Sequence, residues 1–453
     1  MAHSVTRMNS PEIVHVNTHD VAGGAAKVAW RLAVAQRAQG RDARILARYA
    51  REDSGFSASF DPAEIPDLAE RCRREGLLYH EYQGSHSLAE HPFVRDCRVV
   101  HLHNLHGGYF NPFSLIPLSL AKPVVWTLHD MQALTGRCAH AFECRQWRSQ
   151  CRECPGKDTY PQIEGGSEAL LLARKALVAR LSRVHLAVPS AWLGSMVRES
   201  VLGGFPVRLI PNFCDARTFS PRDKAQARRR LGLPEDALLV GASAHGGPLE
   251  NSWKGGGYTR QAVEVLTNNF PNAYFVNIGG SRQGLHERVL TVPHQEDEAD
   301  LAWALSALDL FLYTPVADNC PLVVIEALCC GLPVVSFGVG GIAELVRHGL
   351  DGLVVPFGDV EALTRAASRL LADREERGAF SLRARQSGLK RFDVPVALAA
   401  YQALYDSAVR EHQARASDPV RICLGELPQE ILTPPFLQAL RHVQALGRAR
   451  VEP

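Results

Sequence analysis

Short runs of β-branched and other apolar residues recur along this chain and are separated by segments long enough to form helices. In the first 200 residues such runs lie at 12–17, 42–47, 98–103, 123–128 and 184–188. Strands that are buried on both faces of a parallel sheet read as continuous apolar runs, because helices cover both sides. The sequence therefore predicts an α/β fold with a mostly parallel, doubly wound sheet.

The alternation restarts at 207–212 and continues to about residue 395. Further strands are predicted at 237–242, 273–278, 309–313 and 333–337, with helices at 257–268, 297–307 and 321–330. The 453 residues are about three times the usual length of one domain. We predict two domains, 1–206 and 207–395, and then a helix from 396 to 410 and a tail to 453. Asp418-Pro419 and Pro434-Pro435 indicate loops in this tail, for which packing on the N-terminal domain is one option.

Two doubly wound domains place ligands at the carboxyl ends of their strands. We therefore expect the active site in a cleft between the two domains.

Charge and hydropathy exclude several classes of protein. The net charge is +2, from 50 Lys and Arg against 48 Asp and Glu, which is too balanced for nucleic-acid binding driven by phosphate neutralisation. No run of about 18 apolar residues is present, so a membrane-spanning helix is not expected. Residues 1–11 lack the apolar run of a secretory signal, so we expect a cytoplasmic location. The odd count of 11 cysteines favours free thiols or metal ligands over a disulfide framework.

Two features are typical of phosphate binding. Gly23 and Gly24 lie between a predicted strand and its helix, where a backbone without Cβ atoms lets a ligand approach the helix N-terminus. Lys254, one of only seven lysines, precedes the helix predicted at 257–268 and could pair with a diphosphate. The alternatives are a simple turn glycine pair and a solvated loop lysine.

Two acids flank the start of the helix predicted at 321–330. Asp318 lies in the loop after a predicted strand, and Glu326 lies within the helix. Carboxylates accept hydrogen bonds from the hydroxyls of a polyol, and the helix start, with Asn319, Pro321 and Leu322, suits a phosphate. The alternative is a helix-capping Asp and a solvated Glu.

A polar pair, His129 and Asp130, follows the apolar strand predicted at 123–128. A neutral His at the end of a parallel strand can hydrogen-bond a sugar hydroxyl or interact with charge that develops at a reacting carbon. A structural hydrogen bond is the alternative. Nearby His101, His103 and His106 form another cluster, whose spacing is too loose to assign a role, and metal binding there stays open as a weaker alternative.

Four cysteines form a cluster in an insertion at about 136–160: Cys138, Cys144, Cys151 and Cys154. Four thiols in a polar segment are typical of a closed tetrahedral Zn site, which would order that segment. A disulfide pair or free thiols are the alternatives, and His140 could replace one ligand.

Residues 318–359 resemble the donor-binding region of glycosyltransferase family 4. That region has two acids spaced E-x7-E, then G-x-P-V-V and GG-x-x-E, and the corresponding residues here are Asp318, Glu326, 331–335, Gly340, Gly341 and Glu344. Residues 210–221 resemble the interdomain segment of the same family, and the cysteine-containing segment resembles a subgroup of exopolysaccharide and colanic-acid-type enzymes. The resemblance covers about residues 12–410.

The resemblance implies a GT-B fold, with two Rossmann-like domains, and transfer of a sugar from a nucleotide-sugar to a glycan or lipid-linked acceptor with retention of configuration. It assigns the donor ribose to Glu326 and the donor sugar to Asp318 and His129. The diphosphate is assigned to Lys254 and to the backbone of Gly23 and Gly24. No catalytic metal is expected, and no D-x-D pair occurs. Asp318 departs from the Glu of the family, and no Arg occurs in 242–253, so the identity of the donor stays open.

Other functions stay open at this point. A nucleotide-sugar epimerase or a phosphorylase would use the same fold, and a non-catalytic nucleotide-sugar-binding protein would use the same residues. Contact with a membrane surface is a weaker hypothesis, based on Arg174, Lys175 and Arg180 in the helix predicted at 168–182. An ordinary packing helix is the simpler explanation of that segment.

Overall fold

The computed structural model describes residues 11–51, 54–60, 67–156, 161 and 164–452. They form two compact units. The first lies within Met1–Pro189, Leu193–Ile210 and Leu398–Pro453, and the second is Ser190–Trp192 with Pro211–Ala397. Within the described ranges, no helix has the length and hydropathy needed to span a bilayer.

The first unit contains a parallel sheet. Its described strands are β1 (Ile13–His19), β2 (Ala43–Tyr49), β3 (Ser57–Ser59), β4 (Val99–Leu102), β5 (Val124–Thr127), β6 (Val184–Val188) and β7 (Val207–Leu209). The strand order is β3-β2-β1-β4-β5-β6-β7. The helices in this part of the chain are α1 (Gly24–Ala38), α2 (Leu68–Arg74), α3 (Pro92–Arg95), α4 (Leu115–Ala121), α5 (Glu168–Leu181) and α6 (Ala191–Arg198). This is the order of a doubly wound sheet, in which the chain adds strands first on one side of β1 and then, from β4 onward, on the other side. The reversal point therefore lies between β1 and β4.

The second unit contains a similar doubly wound sheet. Its strands are β8 (Leu238–Ser243), β9 (Ala273–Ile278), β10 (Gly284–His286), β11 (Val289–Val292), β12 (Leu310–Tyr313), β13 (Val334–Phe337) and β14 (Gly352–Val355). The sheet runs β10-β11-β9-β8-β12-β13-β14 and is parallel except for the antiparallel pair β10-β11. Its helices are α7 (Lys224–Leu231), α8 (Gly256–Asn269), α9 (Glu298–Ser306), α10 (Leu322–Cys329), α11 (Ile342–Leu345), α12 (Val360–Ala372) and α13 (Arg374–Phe392). The order in which strands are added to the sheet reverses between β8 and β12, which pair in parallel.

Burial of the apolar strands stabilises each sheet. Every residue of β13 is buried, as expected for a strand covered on both faces. Helix α12 shows how a covering helix packs, because Leu363, Ala367 and Leu370 lie on one face and are fully buried. Burying a leucine side chain contributes about 1.5–3 kcal/mol, so this face holds the helix on the sheet.

The tail contains more regular structure than the sequence predicts. Helix α14 (Val394–Ala414) is followed by β15 (Val420–Cys423), α15 (Pro434–Ala445) and β16 (Ala449–Glu452), and β15 pairs with β16 in parallel. The expectation of a loop at Pro434-Pro435 is wrong, because both prolines lie in the first turn of α15, where a missing N–H costs nothing. Phe436 of α15 packs on Phe113, with ring centroids 5.2 Å apart.

The two basic residues at the centre of α5 are buried. Arg174 pairs with Glu81 at 2.9 Å, and the Lys175 ammonium donates to the carbonyl oxygens of Gln132 and Thr135 at 2.5 and 2.8 Å. Neither charge can therefore reach an anionic lipid surface. The structure favours the packing-helix explanation of this segment over membrane contact.

Candidate functional site

Two of the expected donor-binding residues follow the strands that flank the reversal point of the second sheet. Lys254 lies in the loop after β8, and Asp318 lies in the loop after β12. Ligands of doubly wound sheets bind outside the carboxyl ends of the strands at this point. Topology alone therefore brings together two residues that are 64 positions apart.

Lys254, Tyr313 and Asp318 form one polar cluster. The Lys254 ammonium donates a short hydrogen bond to the Asp318 carboxylate and a bond of 3.2 Å to the Tyr313 hydroxyl, which itself donates to Asp318. Burial, and then the charge of Asp318, raise the pKa of Tyr313 well above its ordinary value, so the hydroxyl stays protonated. Side-chain exposure is 32% for Lys254 and 15% for Asp318, so solvent reaches both partners.

Two glycines allow the backbone to pass close to this cluster. Gly255 has φ +72°, and a Cβ at this position would overlap the carbonyl oxygen of Thr314. Gly340 has φ +54°, and its Cβ would overlap the carbonyl oxygen of Asp318. A side chain at either position would thus be strained in conformation and would also collide with a loop that carries the cluster.

The start of α10 lies next to the cluster along the chain. Pro321 is the N-cap rather than a first-turn residue, and the helix begins at Leu322. Asn319 accepts a hydrogen bond of 2.5 Å from the Ser190 hydroxyl, and the backbone N–H of Asn319 donates to Asp318 at 2.9 Å. Glu326 is only 2% exposed within α10. Its assignment to a ribose therefore stays a prediction.

Glu344 holds the first residues of α6. Its carboxylate accepts hydrogen bonds from the backbone N–H groups of Ala191 and Trp192 at 2.6 and 2.7 Å. An anion at a helix N-terminus is the favoured arrangement, because it satisfies N–H groups that have no partner within the helix. Glu344 therefore has a structural role in this state.

In the first unit, Gly23 and Gly24 lie between β1 and α1. Gly23 is the N-cap of α1 with φ +91°, and α1 begins at Gly24. Both glycines are exposed, and a Cβ at either would meet no atom within 4 Å. The conformation of Gly23 requires glycine, and the space around both leaves room for a ligand. Their assignment to a diphosphate stays a prediction.

His129 and Asp130 follow β5 in the first unit. Asp130 pairs with His106 at 2.8 Å, and although burial opposes it, this contact raises the pKa of His106. The Nε2 atom of His129 lies 3.1 Å from Nδ1 of His103. Burial lowers the pKa of His129 to about 4, so this imidazole is neutral near pH 7. A neutral His suits the predicted hydrogen bond to a sugar hydroxyl.

The four clustered cysteines line one small cavity, together with the buried side chains of Arg137 and Trp147. The Gly136 N–H approaches the Cys151 sulfur at 3.3 Å, and the Arg137 guanidinium approaches the Cys154 sulfur at 3.6 Å. Burial raises the pKa of Cys151 to about 11, so it is a neutral thiol in this state. All four cysteines are free thiols, which argues against the disulfide alternative in this state.

Three histidines of the first unit, rather than the cysteines, have ligand atoms close enough together to hold a metal ion. Over the described residues, one set of three potential ligands has all donor atoms within 4.8 Å of one another, and it is His15, His101 and His103. The cysteine sulfurs do not form such a group here. Zinc at the cysteines therefore stays a prediction.

Sequence reasoning missed Tyr313 and Gln36. Tyr313 is the last residue of β12, and its position before the loop with Asp318 was the available signal. Gln36 is a polar residue on the buried face of α1, where it hydrogen-bonds His15 at 2.9 Å. Its place within an apolar helix face was the only sequence signal.

Comparison with known proteins places the cluster inside a recognised domain. Residues 244–373 match the family model described as glycosyl transferases group 1. WcaC of Escherichia coli (strain K12), named as a colanic acid biosynthesis glycosyl transferase, is 26% identical over 251 residues, which are 52% of this chain and 59% of that protein. N-acetyl-alpha-D-glucosaminyl L-malate synthase of Bacillus anthracis is 28% identical over 213 residues, with shares of 45% and 55%. The chain therefore spans a little over half the length of these two curated relatives.

Solved structures share the fold. Sucrose-phosphate synthase from Thermosynechococcus elongatus has a TM-score of 0.63 at 18% identity, covering 88% of this chain and 100% of that chain. Alr3699/HepE from Anabaena, in complex with UDP and glucose, has a TM-score of 0.61 at 17% identity with the same coverage. WaaG, a glycosyltransferase involved in lipopolysaccharide biosynthesis, has a TM-score of 0.59 at 16% identity, covering 86% and 98%. The predicted fold class, GT-B with two Rossmann-like units, is confirmed.

Proposed function

We propose that this protein is a retaining glycosyltransferase of polysaccharide biosynthesis, because residues 244–373 match the family model of glycosyl transferases group 1. It transfers a sugar from a nucleotide-sugar donor to a glycan or lipid-linked acceptor. The observation that carries the proposal is the cluster of Lys254, Tyr313 and Asp318 at the reversal point of the second sheet, inside the matched domain.

Each member of the cluster has a role in donor binding. The Lys254 ammonium pairs with the diphosphate of the donor, whose charge grows on the leaving group as the bond to the sugar breaks. The Tyr313 hydroxyl remains protonated and donates a hydrogen bond to Asp318, which positions this carboxylate. Asp318, once Lys254 turns to the diphosphate, accepts hydrogen bonds from the sugar hydroxyls. The diphosphate charge is met by Lys254 and backbone amides, and no catalytic metal is proposed.

One similar structure supports the donor class, and one curated relative supports the class of acceptor. The Anabaena HepE structures contain UDP with glucose and UDP-glucose, and WcaC is named for colanic acid biosynthesis. We therefore propose a nucleotide-sugar as the donor and a polysaccharide precursor as the acceptor. The base and the sugar of the donor are left to experiment.

The test compares two lysines of the same unit. Wild type, Lys254→Ala and Lys224→Ala are screened by thermal shift against nucleotide-sugars, UDP-glucose included, because a ligand that binds the native state raises its melting temperature. Lys224 is the matched control, since it also pairs with an aspartate, Asp309, at 2.9 Å. Losing one charge-assisted bond of about 1.5–3 kcal/mol should weaken the bound donor about 10- to 100-fold in Lys254→Ala only.

Turnover then separates the alternatives. Sugar transfer that requires an acceptor, with the anomeric configuration retained by NMR, supports the proposal. A product formed without an acceptor would indicate an epimerase. Release of the sugar that requires inorganic phosphate would indicate a phosphorylase. Donor binding without donor consumption would indicate a non-catalytic binding protein. Equal donor affinity of Lys254→Ala and wild type would overturn the assignment of the site.

A further inference from the structure

A continuous series of side-chain hydrogen bonds begins at His129 in the first unit. His129 Nε2 lies 3.1 Å from His103 Nδ1, and His103 Nε2 lies 3.1 Å from His15 Nδ1. His15 Nε2 lies 2.9 Å from the side-chain oxygen of Gln36. His15, His103 and Gln36 are at most 2% exposed, whereas His129 is partly exposed. The series therefore runs inward from a residue that solvent reaches.

The series continues beyond Gln36. The Gln36 amide nitrogen donates to the Tyr405 hydroxyl at 3.2 Å, and this hydroxyl lies 2.8 Å from His101 Nδ1. His101 Nε2 lies 2.7 Å from the Thr127 hydroxyl, which lies 3.2 Å from that of Tyr401. Five elements thus contribute to one network, namely β1, β4, β5, α1 and α14.

The Gln36 side chain sets the direction of the bonds that run through His15 and His103 to His129. An amide oxygen only accepts and an amide nitrogen only donates. Since the oxygen faces His15, His15 carries its proton on Nε2 and accepts at Nδ1. His103 must then donate from Nε2 and accept at Nδ1, and the bond that it accepts comes from Nε2 of His129.

The charge state of the imidazoles agrees with this geometry. Burial lowers the pKa of His15 and of His129 to about 4, and burial also lowers the pKa of His101 and of His103 well below the ordinary value. Each ring is therefore neutral near pH 7, with one N–H and one lone pair, as the series requires.

We propose that Gln36 is a positioning residue that acts through His15 and His103 to hold His129 in the tautomer with its proton on Nε2 and its lone pair on Nδ1. In this tautomer Nδ1 is an acceptor for a hydroxyl donor. The catalytic consequence rests on the proposed function: a sugar hydroxyl that meets His129 donates to Nδ1. The tautomer itself does not depend on any activity.

A metal among His15, His101 and His103 is the competing explanation, since their nitrogens lie within 4.8 Å of one another. All six ring nitrogens of these histidines already have a hydrogen-bond partner at 2.7–3.1 Å. A metal would have to replace several of these bonds and would leave Gln36 or Tyr405 without its partner. The hydrogen-bonded network explains every nitrogen, so we favour it.

The first experiment is NMR of the full chain labelled with 15N-histidine, with resonances assigned from single His→Gln variants. The expected result is a protonated Nε2 and an unprotonated Nδ1 on His15, His103 and His129. The opposite tautomer on His129, which would result if the Gln36 amide were reversed, overturns the proposal. So does a shift of the His15, His101 and His103 resonances on adding one equivalent of Zn²⁺.

The second experiment removes the amide. Gln36→Leu should leave His129 as a mixture of tautomers, whereas Gln39→Leu, at an exposed position one turn further along the chain, should leave its spectrum unchanged. An unaltered His129 in Gln36→Leu would refute the role of Gln36. With a donor identified, Gln36→Leu should lower kcat on the order of tenfold with little change in KM. If no transfer activity is found in wild type, the proposed function fails while the NMR result still decides the tautomer.

Discussion

The stability of the first unit should fall steeply in mild acid, because it buries neutral histidines. His15 is fully buried, and burial lowers its pKa from 6.5 to about 4, although the hydrogen bond to Gln36 acts in the opposite direction. Between these two values the unfolded chain binds more protons than the folded chain. The contribution of His15 is therefore complete above pH 6.5 and is lost as the pH falls towards 4.

The size of the effect at pH 5 follows from these values. At that pH the unfolded imidazole is almost fully protonated, and the folded imidazole carries about a tenth of a proton. The difference of 1.5 pH units between pH 5 and the unfolded pKa of 6.5 corresponds to a loss of about 2 kcal/mol in the free energy of unfolding from His15 alone. His101 and His103, which are buried in the same network, add to this loss.

Hydrogen–deuterium exchange measures the opening free energy of β1 and β4 without requiring that the two units unfold together. Wild type, His15→Gln and His286→Gln are compared at pH 8 and pH 5, with correction for the intrinsic pH dependence of exchange. His286 is exposed and serves as the control. The opening free energy should fall between pH 8 and pH 5 in all three proteins, and this decrease should be about 2 kcal/mol smaller in His15→Gln than in the other two. An equal loss in all three proteins would refute the reasoning.

Two further predictions concern loop segments. Gly255→Ala should destabilise the second unit by more than about 2 kcal/mol, because the φ of +72° at Gly255 and the nearby carbonyl oxygen of Thr314 both exclude a Cβ. The control is Gly257→Ala, in α8 with open space around it, which should stabilise the helix by about 0.5–1 kcal/mol. Chemical denaturation of both variants is the measurement, and equal effects would contradict the role given to Gly255. For the cysteine cavity, protein purified under reducing conditions should contain one Zn per chain, and Cys151→Ser with Cys154→Ser should abolish it while Cys423→Ser does not. Elemental analysis that finds no zinc in wild type would end the zinc hypothesis.

The sequence predicted the sheets well, because strands covered on both faces leave little ambiguity. Strands at 184–188 and 273–278 have the predicted bounds. The strand predicted at 207–212 ends instead at Leu209, two residues before Pro211. The hairpin β10-β11 was not predicted, because its first strand is exposed throughout and lacks an apolar run.

The candidate site was predictable only in part. Ligands of doubly wound sheets bind at the carboxyl ends of the strands, and this rule pointed to the loops that contain Lys254 and Asp318. It could not show that these two side chains bond to each other. The network at Gln36 was beyond sequence reasoning for a physical reason. His101 and Tyr405 are 304 residues apart, and their contact depends on where α14 packs. No local pattern records such a pairing.

The bond between Lys254 and Asp318 also bears on selectivity. A free phosphate ion that approaches the ammonium must compete with a carboxylate already in place. When the phosphate wins, Asp318 loses its only charged partner in the cluster and keeps the Tyr313 hydroxyl and the Asn319 N–H as donors. A molecule that carries both a diphosphate and a hydroxylated ring satisfies both ends at once, since each side chain exchanges one partner for another. In the proposed donor site, the Lys254–Asp318 pair would therefore favour a nucleotide-sugar over phosphate ions that lack a sugar.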